Sequence, residues 1–176
     1  MKIFLIRHGE TTGDVEDRYG GGGYDDALTQ KGIEQVTDTA QQLKDKGIQI
    51  IFSSPLVRAS QSADILAPII GCTIEYVEPL KERIKGVIQG LTKQEALEKY
   101  PDVVALHDDF QNTLPGGESF EDFKKRVVES FIQITHCSYD TVAVVTHGGP
   151  IMRILSHLGL DVPEKIHDAQ YFEIDI

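Results

Sequence analysis

Positive charge is scarce in this chain. Its 176 residues carry 17 Lys and Arg against 28 Asp and Glu, a formal net charge of −11. That balance excludes a nucleic-acid partner, because such binders present a basic face to the phosphate backbone. A small anion stays admissible if a local cluster of cations sits inside the unfavourable overall field. Cysteine is nearly absent: Cys72 and Cys137 stand alone, with no Cys-x-x-Cys spacing. They read as reduced, structural thiols of a cytoplasmic protein rather than a disulfide framework. The first apolar run, Ile3 to Ile6, is too short for a secretory core or a membrane span, so no membrane partner is expected. The six histidines, at 8, 107, 136, 147, 157 and 167, form no His-x-x-x-His or His-Glu-x-x-His pair, which disfavours a metal site. Repeats, low-complexity tracts and linkers are also missing. What remains, 40% hydrophobic and 26% charged, is the make-up of an ordinary globular domain.

The pattern alternates strand and helix. Lys2 to Ile6 suits a buried strand of a parallel sheet. Thr29 can cap a helix carrying Ile33, Val36, Ala40 and Leu43, with Gly47 to end it. Ile48 to Phe52 reads as a second strand, and Ser54-Pro55 as a cap with proline in the first helical turn. Thr73 to Val77 reads as a third strand. Thr92 to Glu95 is a capping box for a short helix that ends before Pro101. After the turn at Leu114 to Gly117, Phe120, Phe123, Val127, Phe131 and Ile134 mark one face of a longer helix. Thr141 to Val145 is a strongly apolar strand. His147 to Pro150 turns it into a helix carrying Ile151, Ile154, Leu155 and Leu158, and Tyr171 to Ile176 suits an edge strand. The expected architecture is one α/β domain over residues 1–176, with 80–118 as a lid-like insertion over one end of the sheet.

Three strand ends carry related chemistry. The first ends in Arg7-His8-Gly9-Glu10, the second in Ser53-Ser54-Pro55-Leu56-Val57-Arg58, and the late one in Thr146-His147-Gly148-Gly149-Pro150. In an open α/β sheet, ligands sit beyond the carboxyl ends of the strands. Two of these ends lead into helices, whose free N–H groups would face the crevice. With two arginines and a histidine added, the crevice suits an anion with several oxygens, since the guanidinium fork matches phosphate. The Gly20 to Gly23 run is no P-loop, because no Gly-Lys-Ser/Thr follows it.

Five blocks now carry a resemblance: Leu5 to Thr11, Ser53 to Ala63, Leu80-Lys81-Glu82 with Gly86 and Gly90-Leu91-Thr92, Pro115 to Ser119, and Val145 to Gly149. Arg-His-Gly alone is a weak signal. Together and in this order, the five blocks resemble the histidine phosphatase superfamily, also called the phosphoglycerate mutase-like family. The resemblance implies a three-layer α/β/α fold with a mostly parallel central sheet. It implies that His8 is the nucleophile that becomes phosphohistidine. Arg7, Arg58 and His147 would bind the phosphoryl oxygens. Glu82 would protonate the leaving oxygen and later activate water, which asks it to hold a proton near neutral pH. Gly148, Asp14, Arg18, Gly20 and Gly21 complete the expected substrate contacts. No metal and no cofactor are implied. Cationic neighbours should keep His8 in the neutral form that attacks.

Four departures bear on substrate. Asp14 stands where the family usually has asparagine, and it would repel phosphate unless paired with Arg7, Arg18 or a cationic substrate group. The glycine loop is one residue longer, and Ala27 replaces a common proline. Ile88-Gln89 replaces an aromatic-acidic pair. The chain also lacks the long insertion of the cofactor-dependent mutases. The expected function is a metal-independent phosphomonoesterase for a small phosphorylated metabolite. The alternatives are a phosphoglycerate mutase or a non-catalytic phosphoryl-binding regulatory module. No heptad or edge signal sets an oligomeric state.

Overall fold

Alternation along the strands decides the layering, because successive side chains of a strand point to opposite faces. The computed structural model describes residues 1–176. Strands β1 (Lys2–Arg7), β2 (Ile50–Ser53), β3 (Thr73–Tyr76), β4 (Thr141–Thr146) and β5 (Tyr171–Asp175) form one sheet in the order β3-β2-β4-β1-β5. All neighbours run parallel except β5, which pairs antiparallel with β1 at the edge. Ile3, Leu5, Ile50, Phe52, Val142 and Val144 share one apolar cluster with residues of helices α6 (Phe120–Thr135) and α7 (Gly148–His157). Phe4, Ile6, Ile51, Ala143 and Val145 face the opposite way, against helices α2 (Gln30–Leu43) and α3 (Val57–Ile70). Ile3 to Ile6 are all buried, as a strand covered on both faces requires. Each large apolar side chain so buried contributes about 1.5–3 kcal/mol. The fold is therefore the expected α/β/α arrangement.

Register then sets the site. Arg7 lies beside Thr146 across β1 and β4, and Ser53 beside Val145 across β2 and β4. The three chemistry-bearing strand ends thus finish level at one edge. A close backbone approach holds the first of them: a Cβ on Gly9 would lie 2.4 Å from the Gly32 carbonyl oxygen, so α2 can pack onto the loop only through glycine.

Several local details differ from the sequence expectations. Helix α2 ends at Leu43 with Lys44 as its cap, and Gly47 lies beyond it. Strand β2 starts at Ile50 rather than Ile48. Pro55 is not in a helix: Leu56 is extended (φ −62, ψ 139) and α3 begins at Val57. The intervening bend brings the Ser54 hydroxyl to the ring of His147 instead of to a helix end. Pro101 does end α4 (Lys93–Lys99), but it also opens α5 (Pro101–His107), because proline fits a first helical turn as well as it breaks an interior. A one-turn helix, α1 (Thr12–Val15), follows the first strand end. Between β3 and α6 the chain makes two short 3-10 turns, Glu78–Leu80 and Gly86–Ile88, and a small satellite core of Ile88, Ala96 and Leu114.

Candidate active site

Beyond the strand ends lies an open cavity of about 260 Å³. No hydrophobic side chain lines it, and every sequence-predicted site residue except His147 does: Arg7, His8, Asp14, Arg18, Gly20, Gly21, Arg58, Glu82 and Gly148. His8 directly follows β1 and is buried. Its Nδ1 donates to the Gly9 carbonyl at 2.8 Å, which leaves the Nε2 lone pair without a partner. Burial first, then the cations Arg58 and Arg7, hold its pKa well below the ordinary histidine value of 6.5. The ring is therefore neutral and nucleophilic at neutral pH.

Arg58, in the first turn of α3, is fixed on three sides. Its Nη1 donates to Asp26 Oδ1 at 2.9 Å and to the Tyr24 carbonyl, and its Nη2 donates to the Gly21 carbonyl. Its Nε donates to His147 Nδ1 at 3.1 Å. His147 is thus engaged at both nitrogens, with Nε2 against the Ser54 hydroxyl at 2.9 Å. It stands behind the cavity wall, its ring 5.1 Å from that of His8. Sequence reasoning put His147 directly on the phosphoryl oxygens. In this geometry it orients Arg58, because accepting from Nε requires an unprotonated Nδ1. Burial, and then Arg58, likewise lower its pKa well below 6.5.

Arg7 reaches the cavity from the end of β1. It donates to the Ile166 carbonyl and pairs with Asp168 at 3.0 Å, while Asp14 lies 3.8 Å away. The other oxygen of Asp14 accepts from the Thr11 N–H and hydroxyl, in the capping box that opens α1. Arg18 pairs with Glu16 and donates to the Gly90 carbonyl. The expected positive focus is therefore a set of arginines already matched by carboxylates. One N–H at each helix end is matched too. Val57 N–H of α3 donates to Asp25, and Gly149 N–H of α7 donates to Glu82. These donors are not open to a ligand, as the sequence suggested they would be.

Glu82 lines the same cavity as His8, from irregular backbone. Its Oε2 accepts from Gly149 N–H at 3.0 Å and its Oε1 from Arg83 N–H at 2.8 Å. A Cβ on residue 149 would stand 2.2 Å from Oε1, so a side chain there would displace the carboxylate. Sequence reasoning missed Asp26, Asp168 and Lys85. Acidic residues carry little signal in a chain this acidic, and the partners of these two lie 32 and 161 positions away. Lys85 lines the cavity and is paired with no carboxylate. Burial lowers its pKa and the nearby Glu82 charge opposes that shift. Both cysteines are free. No helix is long and apolar enough to cross a membrane.

Comparison with known proteins adds the family. The model for the histidine phosphatase superfamily (branch 1) matches residues 3–173. A metal-independent phosphoserine phosphatase of Arabidopsis thaliana is 36% identical over 159 residues, which covers 87% of this chain and 66% of that longer protein. The crystal structure of the alpha-ribazole phosphatase from Shigella flexneri superposes with a TM-score of 0.88 at 25% identity, covering 100% of this chain and 91% of that one. A phosphoglycerate mutase from Thermus thermophilus superposes less closely, with a TM-score of 0.72 at 27% identity over 99% of this chain and 93% of that one.

Proposed function

Because the chain belongs to the histidine phosphatase superfamily, we propose that it is a metal-independent phosphomonoesterase working through a phosphohistidine. The observation that carries this reading is the state of His8: a neutral ring, held at Nδ1, with Nε2 free in a cavity walled by Arg7, Arg58 and Glu82. Nε2 attacks phosphorus and the ester P–O bond breaks. The departing oxygen takes its electron pair and a proton from Glu82. Water then attacks the phosphohistidine, Glu82 takes the water proton, and the P–N bond breaks to release phosphate. Arg7 and Arg58 hold the equatorial oxygens, where phosphoryl transfer concentrates its charge. His147 keeps the Arg58 fork aimed at them.

The cavity also bears on substrate class. A wall with no apolar residue suits a small polar leaving group, and the unpaired Lys85 suits a second anionic group on it. We read residues 80–118 as the lid that closes over this group. The name of the Arabidopsis relative supports hydrolysis without a metal. Phosphate release from a panel of small phosphomonoesters, with and without a carboxylate, tests the reading. Turnover should persist in EDTA, an acid-labile phosphoprotein should form, and His8→Ala should abolish both. Inhibition by EDTA, or His8→Ala at wild-type rate, would overturn the mechanism. Isomerisation of a phosphoglycerate without phosphate release would replace it with the mutase reading.

A further inference from the structure

Glu82 sits where no regular element can hold it. Residues 81–85 lie between the two 3-10 turns in no helix or strand, with a single bridge from Lys85 to Gly117, so their carbonyls need partners from elsewhere. The Arg83 and Ile84 carbonyls accept from the Gly22 and Glu118 N–H groups, and one side chain serves the carbonyls on the other side. Arg126, on α6, donates from Nη1 to the Pro79 and Lys81 carbonyls at 2.7 and 2.8 Å, and from Nη2 to the Glu82 carbonyl at 3.0 Å. The same guanidinium makes a two-pronged pair with Glu118, Nε to Oε1 at 2.6 Å and Nη2 to Oε2 at 2.8 Å. Its other support is the Phe123 ring, 5.0 Å away. Glu118 in turn grips the far side of the loop: its N–H donates to the Ile84 carbonyl, and its own carbonyl accepts from Arg83 Nε.

From this convergence we infer that Arg126, locked by Glu118, is the positioning residue for the acid Glu82. It touches neither the cavity nor the reacting atoms. It gathers the carbonyls of Pro79, Lys81 and Glu82 and thereby fixes the Cα from which the Glu82 carboxylate reaches Gly149 N–H at the cavity that His8 also lines. The inference rests on Glu82 being the proton donor of the proposed reaction. Loss of the fork would leave the arginines and the nucleophile in place and misdirect only the proton. Small displacements of a reacting group are expensive: about 1 Å can cost on the order of a hundredfold in rate.

Leaving-group dependence separates this role from plain stabilisation. Glycerol phosphate leaves as an alkoxide and needs the proton, whereas a dinitrophenyl phosphate leaves as a stable phenolate and does not. Glu82→Gln should lose about a hundredfold or more in kcat/KM on glycerol phosphate and little on the aryl ester, because kcat/KM reports the steps up to leaving-group departure and not the later attack of water. Arg126→Gln should follow it, with about a thirtyfold loss on glycerol phosphate against less than about threefold on the aryl ester. Arg126→Lys, which keeps the charge but not the fork, should fall between it and wild type. Where circular dichroism shows Arg126→Gln to be unfolded, Glu118→Gln gives the same reading, since it frees the guanidinium from its anchor. Equal losses on both esters, with Glu82→Gln still selective, overturn the positioning role. Equal losses in Glu82→Gln itself would instead remove the acid assignment, and the inference with it.

Discussion

The two walls of the cavity are built in opposite ways. On the wall of the proposed nucleophile, the nucleophile wall, His8 and Arg7 stand at the end of a strand whose backbone is paired on both sides, and Arg58 opens a helix packed on the sheet. On the wall of the proposed acid, the acid wall, Glu82 rides an irregular segment held by the side chains of Arg83, Glu118 and Arg126. Packing fixes the first wall and hydrogen bonds to loop carbonyls fix the second. The difference teaches where damage should go. Breaking the nucleophile wall should cost stability along with activity. Breaking the acid wall should cost proton transfer while the fold survives.

The sharpest way to break the contrast is Arg58→Met. It leaves Asp26 buried without its cation, since both side chains are less than a tenth exposed. Uncompensated buried charges of this kind cost about 3–5 kcal/mol, readable from denaturant midpoints, and turnover should fall with them. A loss below about 1 kcal/mol would show that the nucleophile wall is not built on this pair. On the acid wall, Gly149→Ala pushes a methyl against Glu82 Oε1. We expect kcat on an alkyl phosphate to drop by about ten- to a hundredfold, with the melting midpoint nearly unchanged. Comparable losses of stability in the two variants would erase the distinction.

A gentler probe is pH. His8 and His147 have folded pKa values depressed below 6.5, so the unfolded chain binds more protons than the folded one in that window. The stability they contribute is therefore present above pH 6.5 and is lost as pH falls toward the folded values. Each histidine sets a limiting slope of about 1.4 kcal/mol per pH unit. Thermal melts from pH 7 to 5 should show this decline, and His147→Gln should flatten it. A slope equal to wild type in that variant would mean that His147 is not buried in its neutral form.

Legibility followed the same division. The strands, the helices that cover them and the triplet Arg7, His8, Arg58 were readable because alternation, caps and the strand-end rule are local signals. Glu82 was readable only through the family resemblance, since a lone carboxylate on irregular backbone has no pattern. Arg126 left a faint trace: a charge beside the buried stripe of Phe123 and Val127 on α6. Pro55 misled, and Pro101 marked the end of α4 without showing that α5 begins there. Proline marks a boundary without saying on which side the helix lies.

By itself, then, the sequence determined the layers, the parallel sheet and the edge at which the chemistry gathers, because hydrophobic period and strand order are written along the chain. Only the tertiary structure decided how the charges pair. Asp26 comes to Arg58, Asp168 to Arg7, Asp25 and Glu82 to the two helix ends, and Lys85 is left over. Coulombic partners are chosen by distance in space, and the net charge of −11 records their sum without their arrangement.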